Sequence, residues 1–180
     1  MGITERILAI DGLKIQTDCG LGDYYKGKME AFTFRELKTD PQHFFQILPK
    51  DWQDEIVPFW DIYKTDSKIY IIEDSNSLIG GGIVFYKSPP HFEYFATEAE
   101  TWFNNGYLYL GFIWISEQHR NKSLGSFWLN QLKSKNPKQQ YFLLTEEEQL
   151  HHFYLKNGFV CHQSLQNEDH REWLYHTKSV

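Results

Sequence analysis

Cysteine is scarce: Cys19 and Cys161 are the only two, and they form no CxxC pair. That excludes a disulfide framework and the usual zinc motifs, and it makes a reducing compartment the default. Positive charge is also short, with 18 Lys and Arg against 24 Asp and Glu and a net charge of -6. This deficit argues against general binding to nucleic acid or to an anionic membrane, although a local basic patch survives it. Long apolar runs are missing as well. None approaches the roughly 18 consecutive apolar residues of a membrane span, and the N-terminus lacks the apolar core of a signal peptide. A soluble cytoplasmic protein is therefore expected. The 180 residues hold no internal repeat, low-complexity tract or long linker, and suit one domain with an extension. Aromatic residues are plentiful at 17%, which favours flat, stacked or deep apolar surfaces as much as ordinary core.

Pattern along the chain predicts the elements. Ile7 to Thr17 carries Asp11-Gly12 between two apolar runs and predicts a hairpin, so residues 1–30 form an N-terminal extension to a domain over 31–180. Phe32 to Leu37 alternates as a strand. Asp40-Pro41 predicts an N-cap with proline at the first helical position, and Pro49 and Pro58 divide the next apolar stretch into two short helices. Lys68 to Glu73 and Leu78 to Lys87, separated by Asp74 to Ser77, predict paired strands. Gly80 to Gly82 inside the second marks a bulge or a close backbone approach. A short helix is expected over Glu93 to Asn104. Gln140 to Thr145 reads as a strand. Thr145 with Glu148 forms a capping box for a helix that ends at Lys156-Asn157-Gly158. Phe159 to Leu165 and Arg171 to Thr177 complete the chain as strands.

The centre is Tyr107 to Leu132. Tyr107 to Ile115 has the aromatic and β-branched content of a strand buried on both faces. Ser116 to Ser123 is polar and carries Arg120 and Lys122. Leu124, Phe127, Trp128 and Leu132 then recur at helical spacing. A helix entered through a basic loop offers unpaired N–H groups to an anion, with Gly125 allowing close approach and Arg120 and Lys122 adding charge from the rim. On its own, such a loop is equally a solvated connection.

Two motifs in this order resemble the GNAT superfamily of acyl-CoA dependent N-acetyltransferases. Gln118-His119-Arg120-Asn121-Lys122-Ser123-Leu124-Gly125-Ser126 is similar to that family's pyrophosphate loop, with Ser123 where the first glycine is expected. Phe153-Tyr154-Leu155-Lys156-Asn157-Gly158-Phe159 is similar to its FY-x-K-x-GF helix end. The resemblance covers residues 32 to 177. It implies an α/β fold, of the α+β mixed-sheet kind, with a central mixed sheet flanked by helices; the N-terminal hairpin is extra. At a right-handed helical position Ser123 fits without strain, keeps its N–H and adds a hydroxyl, so weakened CoA affinity is the most it should cause.

The resemblance further implies acetyl-CoA as cosubstrate and direct attack by an amine in a ternary complex. Cofactor contacts then fall to Trp114, Ile115, Arg120, Asn121, Lys122, Ser123, Leu124, Gly125 and Ser126. The backbone near Trp114 and Ile115 would pair with the pantetheine arm, and the Ile115 N–H would polarise the thioester carbonyl. Tyr154 is the implied acid that protonates the departing thiolate, with packing on the helix's buried face as the plainer alternative. No metal is implied.

The base is open. Gly111 and its neighbours Tyr109 and Phe112 offer no strand carboxylate, and Glu117 or His119 acting through water competes with a solvated loop role for both. His151, His152 and His162 beside Cys161 read as surface or packing residues rather than a ligand set or a Cys-His hydrolase. The acceptor is expected between the early helices and the last strand loop. There Asp51, Asp54, Glu55, Glu168 and Asp169, with Trp52, Phe59 and Trp60, favour a small-molecule or peptide amine, cationic by preference. A homodimer is compatible with this reading. The competing class is a non-catalytic acyl-CoA-binding sensor or interaction module of the same fold.

Overall fold

The computed structural model describes residues 32–89, 92, 95–167 and 170–178. The hairpin expected over 7–17 lies outside them, as do Glu168 and Asp169. Seven strands form one mixed sheet: β1 (Phe32–Leu37), β2 (Ser67–Asp74), β3 (Ser77–Phe85), β4 (Tyr107–Ile115), β5 (Gln140–Thr145), β6 (Phe159–Asn167) and β7 (His170–Thr177). Their order is β1-β2-β3-β4-β5-β7-β6. Only β4 and β5 run parallel; every other neighbouring pair is antiparallel. The β2–β3 turn is tight because Ser75 and Asn76 both adopt positive φ, 50° and 71°, the conformation that matches strand twist.

Helices cover both faces. α1 (Gln42–Phe45), α2 (Lys50–Ile56) and α3 (Trp60–Tyr63) precede β2, while α4 (Ala96–Asn104) precedes β4. Phe44, Trp52 and Ala99 from this group pack against Ile71, Ile83 and Phe142 on one face. α5 (Leu124–Lys135) and α6 (His151–Lys156) cover the other, where Trp128, Leu132 and Phe153 meet Tyr70, Ile113 and Leu143. Trp128 is fully buried and its indole N–H donates to the Tyr70 carbonyl oxygen at 2.8 Å, which fixes the ring beneath the sheet.

Four local expectations change. Asp40 sits at φ 52° and does not cap with its side chain; Pro41 precedes α1, and the Asp40 carbonyl accepts from His43 N–H instead. Pro58 falls in the first turn of a 3-10 segment, Val57–Phe59, so the second helix divides into α2 and α3 rather than continuing. α4 starts at Ala96 rather than Glu93. Thr145 ends β5, paired with Trp173, and its hydroxyl accepts from Glu147 N–H at 3.1 Å. The capping box is therefore not made: a 3-10 turn over Glu148–Leu150 leads into a shorter α6 that stops at Gly158, φ 82°.

Candidate active site

The site is opened by the sheet itself. β4 pairs with β5 only from Tyr107↔Gln140 to Tyr109↔Phe142, although β4 continues to Ile115 and β5 to Thr145. Divergence begins at a bulge. Between β3 and β4 the register shifts from Ile83↔Gly111 to Gly81↔Trp114, and Phe112 inside the shift has φ 53°. A bulge bends its strand, and here it turns β4 away from β5. The glycines of β3 make this geometry packable: a Cβ on Gly82 would lie 2.8 Å from Trp128 Cζ2, and one on Gly81 2.7 Å from the Tyr70 carbonyl oxygen. The close-approach reading of that triplet holds; the extra residue of the β3–β4 bulge belongs to β4, while a second register shift, from Ile72↔Gly80 to Glu73↔Leu78, leaves Ile79 of β3 as an extra residue beside the triplet.

Beyond the divergence, one edge of β4 is open. Ser116 N–H donates to the Ile79 carbonyl oxygen at 2.9 Å, toward β3. Alternation then turns the N–H and C=O of Ile115 toward the opposite edge, the β5 side. Arg120 meets that edge: its Nε donates to the Ile115 carbonyl oxygen at 3.2 Å, and its guanidinium lies 4.5 Å over the Trp114 ring. Arg120 Nη2 is buried with no hydrogen-bond partner among the described residues. Rather than projecting from the rim, Arg120 is folded back against the strand. Lys122 also turns back, its Nζ donating to the Gln118 carbonyl oxygen at 3.0 Å.

The loop into α5 is built from two left-handed residues, Asn121 at φ 60° and Ser123 at φ 58°. Ser123 is therefore not right-handed helical, and the strain-free reading of that serine is corrected. Its carbonyl accepts the first helical bond from Phe127 N–H at 2.9 Å, and no side chain caps the helix. The N–H groups of Leu124, Gly125 and Ser126 thus begin α5 without side-chain partners. A left-handed non-glycine costs roughly 1–2 kcal/mol. Ser123→Gly should accordingly raise stability by about 1 kcal/mol in chemical denaturation, with no loss of affinity for an anion at this helix end. A destabilised Ser123→Gly protein would contradict it.

The two sequence motifs touch. Asn157 Nδ2 donates to Ser126 Oγ at 3.0 Å and to the Phe153 carbonyl oxygen at 2.8 Å, tying the start of α5 to the end of α6. Lys133 Nζ donates to the Asn157 carbonyl oxygen at 2.6 Å, and burial lowers its pKa. Spacing along the chain gave no sign of either contact, because each joins segments far apart in sequence.

Tyr154 lies on the buried face of α6 at 0% exposure, its ring against Phe153, Phe159 and Tyr175. Its hydroxyl is buried and has no hydrogen-bond partner among the described residues. Burial raises its pKa well above the ordinary phenol value, with the Tyr109 and Tyr175 phenols adding to the shift. Tyr154 shares its core cluster with Leu110, Ile113 and Ile115 of β4 and Leu143 of β5, residues beyond the last β4–β5 pair. An unpaired buried O–H is costly to a fold, and a structural role alone gives no reason to keep it. Cys161 meets the far side of the same cluster: its thiol, pushed up by burial, hydrogen-bonds with Tyr175, whose hydroxyl meets His151 Nδ1 at 2.8 Å. That raised thiol is a poor nucleophile.

No carboxylate stands on β4. A Cβ on Gly111 would lie 2.9 Å from the Tyr109 ring and 3.1 Å from the Phe85 ring, so larger residues are excluded from that position unless those rings shift. Of the acidic residues expected at an acceptor site, Glu168 and Asp169 lie outside the described residues. Asp54 on α2 pairs with Lys50, and Trp52 is buried edge-on to Phe112 and Trp114.

These features fit a CoA thioester: an open strand edge, a helix start free of caps, and a buried unpaired phenol in the core cluster under that strand. Comparison with known proteins agrees. The profile of the acetyltransferase (GNAT) family matches residues 29–159. No curated protein matches the chain. Among solved structures, a GNAT-family protein from Desulfovibrio desulfuricans superposes with a TM-score of 0.60 at 14% identity, over 82% of this chain and 99% of its own. A GNAT family acetyltransferase from Elizabethkingia anophelis with acetyl-CoA bound gives 0.54 at 16% identity, over 83% and 99%. Spermidine N-acetyltransferase from Vibrio cholerae, in complex with CoA and spermine, gives 0.55 at 14%, over 82% and 95%. At these identities the structural likeness speaks for the fold. Among the described residues, no helix is long and apolar enough to cross a membrane.

Proposed function

The chain belongs to the acetyltransferase (GNAT) family, and on that premise we propose that it transfers an acetyl group from acetyl-CoA to a primary amine by direct attack in a ternary complex. The observation that carries this reading is the unpartnered hydroxyl of Tyr154, buried in the core cluster that also holds Ile113 and Ile115 of β4 and Leu143 of β5. Acetyl-CoA supplies an activated thioester; the residues of this chain orient it and manage charge and protons. The backbone N–H groups of Leu124, Gly125 and Ser126 hold the pyrophosphate, as the start of a helix favours an anion, with Asn121, Lys122 and Ser123 shaping the loop around it. The open edge at Trp114 and Ile115 receives the pantetheine arm as an added strand.

Ile115 N–H, already oriented, donates to the carbonyl oxygen as negative charge builds there. Arg120 holds the Ile115 carbonyl and thereby the local strand geometry, and its free Nη2 is available to the cofactor. Tyr154 donates its proton to the departing thiolate; a phenol kept neutral by burial is suited to that step.

The test is paired. Calorimetric titration with acetyl-CoA should give saturable heat, and a panel of spermidine, phenethylamine, phenylalanine and an alanine-initiated peptide should yield acetylated product and free thiol in equal amounts. Absence of heat and of thermal shift at millimolar acetyl-CoA sinks the reading. Binding with no turnover on any amine favours the non-catalytic sensor.

A further inference from the structure

We propose that His119 is the base that takes the proton from the acceptor, and that the acceptor is an alkylammonium with an apolar body and no carboxylate beside its amine. The proposal rests on the acetyltransferase reading above and names the group that β4 does not supply.

The acceptor cavity is built from three segments distant in sequence. A groove of about 880 Å³ opens between residues 47–49, the β2–β3 turn and residues 114–119. Leu48, Leu78 and Trp114 give it apolar walls. Trp114 and Ser116, which flank Ile115 in the chain, both line it, so the groove reaches the end of β4. Its ionisable lining is acidic or imidazole. Asp74 comes from the end of β2, Glu117 and His119 from the segment after β4, and residues 47–49 contribute none. Arg120 is held beside it, with Nη1 3.7 Å from Glu117 Oε1 and its guanidinium on Trp114, and among the described residues no Lys or Arg lines the groove. An ammonium is favoured by such walls, and a carboxylate next to the amine is repelled by Asp74 and Glu117.

His119 is oriented for proton transfer. Ser116 Oγ lies 2.8 Å from His119 Nδ1, and His119 N–H donates to the Ser116 carbonyl oxygen at 2.8 Å. The segment is thus a closed 3-10 turn, Glu117–His119, that fixes the imidazole against the groove wall. In the tautomer that carries its proton on Nδ1, Ser116 Oγ accepts that hydrogen bond and the Nε2 lone pair is free to take a proton. At pH 7 an alkylamine with a pKa of ~10.4 is only about one part in a few thousand unprotonated, so a base is needed. Nε2 takes one proton from the ammonium. The nitrogen pair then forms the N–C bond to the acetyl carbonyl, and the C–S bond breaks with its electrons going to sulfur. Tyr154 protonates that sulfur. The second amine proton leaves as the amide forms and restores the Tyr154 hydroxyl through water, while His119 returns its proton to solvent. Ser116 acts through His119 and is a positioning residue.

The experiment compares wild type, His119→Gln and Ser116→Ala on the fastest amine of the panel, across pH, with acetyl-CoA affinity measured alongside. For His119→Gln, kcat/KM should fall about a hundredfold or more at pH 7. The base-dependent limb of the profile should disappear, and the deficit should shrink as pH approaches the amine's own pKa. Ser116→Ala should show a smaller loss and shift that limb without removing it. Acetyl-CoA affinity should be unchanged in both, which separates the assignment from misfolding. A His119→Gln enzyme with wild-type rate and pH profile overturns the base. Faster acetylation of phenylalanine than of phenethylamine overturns the acceptor class. Wild type inactive on every amine overturns the acetyltransferase reading itself.

Discussion

Tyr154→Phe is expected to lose a hundredfold or more in turnover while binding acetyl-CoA as tightly as wild type and folding at least as stably. One observation gives all three outcomes. The hydroxyl is buried and unpaired among the described residues, so removing it deletes a desolvated polar group and leaves the ring packing intact. A gain of about 1 kcal/mol in unfolding free energy is the expected scale. A purely structural tyrosine would also tolerate phenylalanine, but it would not cost turnover. Stability and catalysis therefore move in opposite directions if Tyr154 is the acid, and unchanged turnover would refute the role. Initial rates, acetyl-CoA calorimetry and urea denaturation on the same two proteins decide it.

Gly82→Ala should damage the sheet's packing and the site together. Its Cβ would meet Trp128 Cζ2 at 2.8 Å, Cη2 at 3.0 Å and Ile113 Cγ1 at 3.1 Å. Trp128 cannot readily withdraw, because its N–H is donated to the Tyr70 carbonyl oxygen inside the core. Overpacking of this kind costs about 2 kcal/mol, or about 6 °C in Tm for a chain of this length. The damage should reach the site, since Trp128 belongs to α5, whose first N–H groups are assigned to the pyrophosphate; weaker acetyl-CoA binding should accompany the lower Tm. Trp128→Phe in the Gly82→Ala background removes the clashing atoms, so the two losses should add to less than their sum by about 1 kcal/mol. Strict additivity in thermal and urea unfolding would mean that Gly82 and Trp128 do not oppose each other as described.

The fold was readable wherever a segment's own composition decides its state. Phe32–Leu37, Tyr107–Ile115 and Gln140–Thr145 are strands with the ends that their aromatic and β-branched runs predicted. The polar break at Ser116 and the helical spacing from Leu124 located the loop and α5. Features decided by distant partners were not readable. Thr145 and Glu148 have capping-box spacing, but Thr145 is committed to β7 across the sheet, and strand pairing overrides the local signal. Ser123 adopts the left-handed region despite being serine, and Phe112 does so despite being aromatic; neither residue type announces it. The contact of Asn157 with Ser126 joins two motifs that the chain separates by 31 residues. The groove before His119 is assembled from residues 47–49, 74–79 and 114–119, three segments whose meeting no local pattern announces.

Catalysis as proposed depends most on the opening between β4 and β5, and a structure of the protein crystallised with acetyl-CoA tests it most directly. The prediction places the thioester carbonyl within hydrogen-bond distance of Ile115 N–H, the sulfur beside the Tyr154 hydroxyl, the pyrophosphate on the N–H groups of Leu124, Gly125 and Ser126, and the acetyl group facing the groove that His119 lines. Acetyl-CoA bound elsewhere, or bound there with its thioester turned away from Tyr154, would contradict it.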